Sequence, residues 1–443
     1  NKYNLNAIVL WEKAYLIVEA DDIENRLKIL DILTDIFLFK GNTEKLNLYL
    51  NELFNLSISA NSIEYIIKSR NYRIELFFRT NQLDELEKEI EALEGLSREN
   101  NIPKGIIFSL VAKCRMCLNQ NNIIEIERMM DEAIELSQKY GIVSYLGNIY
   151  LTLGNMEYLR GNTEGAIKYF IESRDCFDED NNMYEIVKPI NNLGVIYCEI
   201  YGDIDKGLSY YKQGLKLASI YGFSQLETTF LNNIGELYFN SLDYNRALDY
   251  ILNSRRMAIE INDYKLTFLA YINLGYIDLI ANKFDKAYNC YSFLNNLYKA
   301  NAILDEETLC QYYNFLGEFY YIFGKYNQAL EYSKKSSDIS KNFNVKEHLR
   351  AESRILFVEY ITNGYIDKKE IDYINSKYLE AGIVYENLKN ILHLCKLSLL
   401  NRDVDLAYFL LTKYHVLSKD INNEYLNVMC KLIELMLEGT KQS

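Results

Sequence analysis

The sequence predicts an all-α fold, a solenoid of about ten helix-turn-helix repeats closed by a final helix. Three observations predict it. Gly154, Gly194, Gly235, Gly275 and Gly317 follow one another at steps of 40, 41, 40 and 42 residues, in a chain where only 20 of 443 residues are glycine. Each is followed twelve or thirteen positions later by a small residue: Ala166, Gly207, Ala247, Ala287 and Ala329. Recurrence at a fixed period of this length marks a repeat array. Only 2 prolines occur in the chain, so long helices can run unbroken.

From the start of the chain, Ala7, Trp11 and Ala14 have the spacing of the second helix of a repeat. The chain therefore opens inside a repeat, and without an initiator Met it is expected to be a piece of a longer protein. Gly41-Asn42-Thr43-Glu44 recurs as Gly161-Asn162-Thr163-Glu164, three periods of forty away. Leu96-Ser97 and Leu136-Ser137 are also forty apart, which puts Cys114 and Ile126 in the small-residue slots of a repeat at 104–139. In the centre, 149–173 reads IYLTLGNMEYLRGNTEGAIKYFIES and 230–254 reads FLNNIGELYFNSLDYNRALDYILNS. Both halves of each segment carry apolar residues at three- and four-residue spacing around a short Gly, Asn or Asp turn, the pattern of helix, turn, helix. A mid-helix glycine costs about 1 kcal/mol relative to alanine. Five such costs make sense only if a neighbouring helix needs the missing Cβ, with the alanine of the second helix expected as the other half of the crossing. Towards the end, Cys395 and Ala407 keep the twelve-residue offset, Asn401-Arg402-Asp403 supplies a turn, and a last helix near 423–438 caps the array.

These residues resemble the tetratricopeptide repeat. Leu193-Gly194 with Tyr197, Gly161 in the turn, and Ala166 with Phe170 and Ser173 match its pattern. The repeats run about six residues longer than the family's common length, and so resemble Leu-Gly-Asn repeat proteins and bacterial peptide-receptor and activator arrays. The extra residues extend the second helices to stops at Tyr140-Gly141, Tyr221-Gly222 and Asn262-Asp263. The resemblance implies one right-handed superhelix over 1–443. Its repeats are degenerate at 1–103, regular at 104–341, and degenerate again at 342–443, with 347–380 the weakest match. A kink is expected at Ile102-Pro103-Lys104-Gly105, and Pro189 sits comparably early in its helix.

Composition narrows the function. Apolar residues are 49% and aromatics 14%, enough for a continuous core. A net charge of −14 argues against a nucleic-acid partner. Basic pairs such as Arg255-Arg256 and Lys334-Lys335 read as solvated helix faces. No apolar run approaches a membrane span and no leader opens the chain, so a cytoplasmic protein is expected. The 8 cysteines include one C-x-x-C, Cys114 to Cys117, on an apolar helix face, and read as reduced core thiols. The three histidines, His348, His393 and His415, lack metal-ligand spacing, and no nucleophile elbow or phosphate loop occurs. The expectation is no enzyme, no metal and no cofactor.

The pointed signal is asparagine. Asn192, Asn233 and Asn273 lie two residues before the central glycines, and Asn191, Asn232 and Asn314 lie three before. A primary amide offers donors and an acceptor together and can grip a peptide bond whatever its side chain. The resemblance implies that the first of these slots faces a concave groove where a peptide backbone is held. By phase, Lys188, Glu236, Tyr276 and Glu318 join the groove, with Thr229, Gln311, Tyr158 and Tyr321. Tyr197, Tyr238 and Tyr320 are expected in the core. The expected function is the peptide- or protein-binding sensor of a larger bacterial regulator, with a neutral or basic partner and room for homo-oligomers. The alternatives are a constitutive scaffold and a non-catalytic subunit of an enzyme complex.

Overall fold

The computed structural model describes residues 5–441 other than 81, 120–122, 144, 181, 202, 301–304, 342–343, 420 and 422. Among these, every regular element is a helix. A single helix α1 (Leu5–Ile17) precedes paired helices: α2 (Ile23–Lys40) with α3 (Thr43–Ser59), α4 (Ile63–Thr80) with α5 (Leu83–Glu99), and α6 (Pro103–Asn119) with α7 (Ile123–Tyr140). Next come α8 (Leu146–Leu159) with α9 (Thr163–Glu179), α10 (Val187–Val195) with α11 (Ile204–Tyr221), and α12 (Ser224–Asn240) with α13 (Tyr244–Glu260). The array continues with α14 (Tyr264–Ile280) and α15 (Phe284–Lys299), α16 (Glu306–Ile322) and α17 (Tyr326–Ser340), and α18 (Val345–Asn363) and α19 (Lys368–Glu380). It ends with α20 (Val384–Leu400), α21 (Val404–Leu417) and a terminal α22 (Glu424–Lys441). The even-numbered helices up to α20 are the first of each pair. This is the all-α solenoid architecture, with a lone second helix at one end and a final helix at the other.

The turns show why the chain breaks where it does. A left-handed residue recurs about every twenty positions, as at Gly41, Asn61, Gly141, Gly161, Gly222, Asn262 and Asn282, with φ between 52° and 78°. Gly and Asn tolerate that conformation best. In the two identical tetrapeptides the glycine closes one helix and the asparagine opens the next: Asn42 accepts from the Lys45 amide at 3.0 Å and Asn162 from the Gly165 amide at 3.1 Å. Leu242 and Arg402 hold the same conformation with φ of 66° and 61°, without glycine's freedom.

The mid-helix glycines are required by packing, but against a different neighbour from the one expected. A Cβ on Gly154 would lie 2.6 Å from the Phe170 ring, one on Gly194 2.5 Å from Tyr211, and one on Gly235 2.5 Å from Ile251. At these three glycines the side chain that fills the gap stands four residues beyond the small residue, one turn along the second helix, whereas a Cβ on Gly275 would meet Phe315 of α16, the next first helix. Ala166, Ala247, Ala287 and Ala329 are themselves fully buried. Around Gly194 the offset to the small residue is thirteen rather than twelve. The added residue is absorbed by a π-type turn at Ile196–Ile200 that continues α10, the usual signature of a one-residue insertion. Pro103 is the first residue of α6, where a missing N–H leaves nothing unsatisfied.

The chain divides into two compact units. The first comprises Asn1–Tyr197, Asp205–Leu231 and Arg256–Asp263, and the second Cys198–Ile204, Asn232–Arg255 and Tyr264–Ser443. In the first, apolar clusters follow each other along the helices, from Leu30, Leu33 and Leu53, through Ile107 and Met130, to Phe170 and Leu193. In the second they run from Phe268 and Phe315 to Leu388, Leu410 and Ile433. Tyr238 and Tyr320 are buried as expected, and Tyr197 stacks on Tyr210 at 5.6 Å. None of the eight cysteines is in a disulfide, and Cys114 is fully buried. No described helix is long and apolar enough to cross a membrane.

Candidate functional site

In the first unit, contacts join the ends of early first helices to the turns that lead into later ones. The Arg79 guanidinium on α4 donates to the Tyr184 hydroxyl at 2.6 Å, across 105 residues of sequence. The Tyr184 ring lies 4.2 Å from Phe39 and 5.2 Å from Phe223. Lys188, at the start of α10, donates to both carboxylate oxygens of Glu185 at 2.7 and 2.8 Å. Glu75 on α4 forms a two-pronged pair with Arg115 on α6. Burial opposes ionisation of Glu75, but Arg115 and then Lys188 outweigh it and hold its pKa down to about 2. Nearby, the Asn192 amide donates to the Asn155 carbonyl oxygen at 2.9 Å, joining α10 to α8. Asn191 is half-buried beside it.

The second unit repeats the theme with more charge. Asn273 on α14 donates to Asn232 on α12 at 3.1 Å. Asn232 is 5% exposed and Asn314 wholly buried, while Asn233 and Asn273 are half-buried. The Asn314 amide donates to the backbone carbonyl and carboxylate of Glu347, both at 2.8 Å, and accepts from Arg354 at 3.0 Å. The slot three residues before the glycine therefore turns inward between consecutive first helices at Asn232 and Asn314. Those two amides are engaged by neighbouring repeats and are not open to a ligand. The physical reason is the helical step: one residue is about 100° of rotation, enough to move a side chain from a face to a seam.

Around these amides runs a network carried by α18. Lys346 pairs with Glu236 of α12 at 2.9 Å, although 110 residues separate them. Arg350 reaches Glu347 and Glu386 at 2.7 Å each and Asn240 at 3.3 Å. Arg354 pairs with Glu318 of α16 at 2.9 Å. Lys346 lowers the pKa of Glu236 more than burial raises it. Burial opposes ionisation of Glu318 and Glu386, yet Arg354 and Arg350 respectively hold both below the usual carboxylate range. Burial leads the upward shift of the Tyr276 phenol, whose hydroxyl is buried with no hydrogen-bond partner among the described residues. His393 is held neutral, its pKa lowered by burial to about 4, with its Nε2 2.7 Å from the Tyr321 hydroxyl.

Glu236, Tyr276 and Glu318 thus come together with Asn273 in the second unit, over the buried Asn314, and Lys188 with Asn191 and Asn192 belongs to the first. The cations were missed. Lys346, Arg350 and Arg354 fall in the weakest repeat, yet their spacing of four and four is a stripe along one helical face, a signal independent of the repeat phase. Chemically the face offers amides, ionised pairs and a phenol with unused hydrogen-bonding capacity. Those groups suit recognition of polar backbone.

No protein-family model matches the chain, and no curated protein matches it. Solved structures do. A Rap protein complexed with Competence and Sporulation Factor is 11% identical, with 82% of this chain and 99% of that one covered at a TM-score of 0.56. The apo form of the quorum sensor NprR from B. thuringiensis is 14% identical over 80% and 99%, with a TM-score of 0.53. The apo form of RapI is 15% identical over 80% and 97%, also at 0.53. These are helical repeat proteins of the tetratricopeptide type, and this chain has their fold.

Proposed function

We propose that this chain is a peptide-binding regulatory module that holds its ligand against the face built from first helices. The observation that carries the reading is the network around α18. Ion pairs and amides from α12, α14, α16, α18 and α20 converge on one face, half-buried, with the Tyr276 hydroxyl left unpartnered among them. A desolvated polar face of this kind is costly unless it is paired, and a peptide backbone can replace one set of partners with another. One structural neighbour is a quorum sensor and another is complexed with Competence and Sporulation Factor, which supports the same class.

Capture would exchange ligand contacts for the Lys346–Glu236 and Arg350–Asn240 contacts, and so alter how α12 and α18 approach each other. That is the physical step by which binding becomes regulation. Asn233 and Asn273 are proposed as amide contacts to the peptide on the second unit, with Asn192 the corresponding amide of the first, and the net charge of −14 favours a neutral or basic partner. The test is selection from a random peptide display library on the full chain, followed by titration of the enriched peptide in rising salt. A peptide that binds micromolar or tighter, weakens on Asn233→Ala and loses affinity with salt supports the reading. Failure to enrich any peptide over an unfolded control would contradict it.

A further inference from the structure

At the end of the array, α21 and α22 bring together three donors of different kinds. His415 lies in the last turn of α21, and Cys430 and Glu434 stand one helical turn apart on α22. His415 Nε2 is 3.1 Å from Glu434 Oε1, Cys430 Sγ is 3.8 Å from the same oxygen, and all three ligand atoms lie within 4.8 Å of one another. We propose that His415, Cys430 and Glu434 form a zinc site that clamps the terminal helix to the last helix pair.

The geometry carries this further than proximity alone. Zinc binds nitrogen and oxygen at roughly 2.0–2.2 Å and sulfur at roughly 2.3 Å, in tetrahedral arrangement. Corners of such a tetrahedron are therefore separated by about 3.3–3.7 Å. The nitrogen–oxygen and sulfur–oxygen separations already fall within a few tenths of an ångström of those values. The remaining nitrogen–sulfur edge needs to close by about 1.3 Å at most, and one of its ends is a side chain with freedom to move, since the His415 side chain is 55% exposed.

The donor set is also selective. Imidazole, thiolate and carboxylate together suit zinc or its borderline neighbours and do not suit magnesium or calcium. Cys430 is buried at 6% while His415 and Glu434 reach solvent, so the metal would enter from the open side. Binding displaces the proton from the Cys430 thiol to water, leaving Cys430 as thiolate and His415 as neutral imidazole. Three protein ligands leave a fourth position for water. Helix α22 packs mainly on α20 and α21, so a bond network across its middle turn would anchor it.

The experiment uses the full chain, freed of metal by a chelator and then loaded with Co²⁺ or Zn²⁺. With Co²⁺, the parent is expected to show a sulfur-to-metal charge-transfer band with tetrahedral ligand-field bands, at one equivalent. Cys430→Ser abolishes the charge-transfer band, and His415→Gln and Glu434→Gln each weaken zinc, in competition with a chromophoric chelator, by more than the roughly 10–100-fold lost with an outer-shell support. Circular dichroism of the metal-free variants checks that each is folded. A charge-transfer band that persists in Cys430→Ser, equal zinc affinity in parent and all three variants, or no stoichiometric zinc in the parent overturns the site.

Discussion

Arg402 has a positive φ of 61° where neighbouring turns use Gly or Asn. A side chain held there costs about 1–2 kcal/mol. Arg402→Gly is therefore expected to raise stability by about 1 kcal/mol, read from chemical denaturation, because the relief of strain exceeds the entropy glycine adds to the unfolded chain. The opposite holds at Gly235. Its absent Cβ would sit 2.5 Å from Ile251, so Gly235→Val should cost at least about 1–3 kcal/mol, and Ala247→Leu a similar amount. Variants that melt with the parent would mean the crossing is mis-assigned. His393 supplies a pH term. Its folded pKa of about 4 lies below the usual 6.5, so the unfolded chain binds the proton more readily. Its contribution is complete above pH 6.5 and is lost as pH falls towards 4, by about 3 kcal/mol at most. Between those limits the parent should lose stability faster than His393→Gln; parallel curves would contradict the buried neutral imidazole.

At the scale of elements, periodicity alone specifies most of what folds. The glycine period sets the first helices, the small residues set the second, and the Gly-Asn turns separate them. Even the degenerate outer pairs fall in phase, because Gly41-Asn42 does the same work at one turn as Gly161-Asn162 at another. What escaped the sequence is what depends on rotation about a helix axis. A shift of one residue decides whether an asparagine is half-buried, as Asn273, or sealed between helices, as Asn314, and apolar phase does not resolve it. Contacts such as Lys346–Glu236 join residues 110 apart, and no local pattern encodes the partner. The neighbours of the glycines escape for the same reason: the offset of twelve marks the second helix, while the space at Gly154, Gly194 and Gly235 is filled by the side chain one turn further along it.

At the scale of the molecule, each pair of helices packs mainly on its neighbours in sequence, so stability adds along the array. Unfolding is expected to be broad or multistep, with the most slowly exchanging amides in 145–341, and a single sharp transition with uniform protection would contradict a modular array. The central claim concerns the face of first helices. Its most direct test is hydrogen exchange of the full chain with and without a selected peptide, comparing the parent with Asn233→Ala/Asn273→Ala. Added protection is expected at α12, α14 and α18, with little change in the second helices of those pairs, and with loss of both protection and most affinity in the double variant. Each lost pair of hydrogen bonds is worth roughly 1–3 kcal/mol. Protection confined to second helices or to the ends of the array, with affinity intact in the double variant, would contradict it.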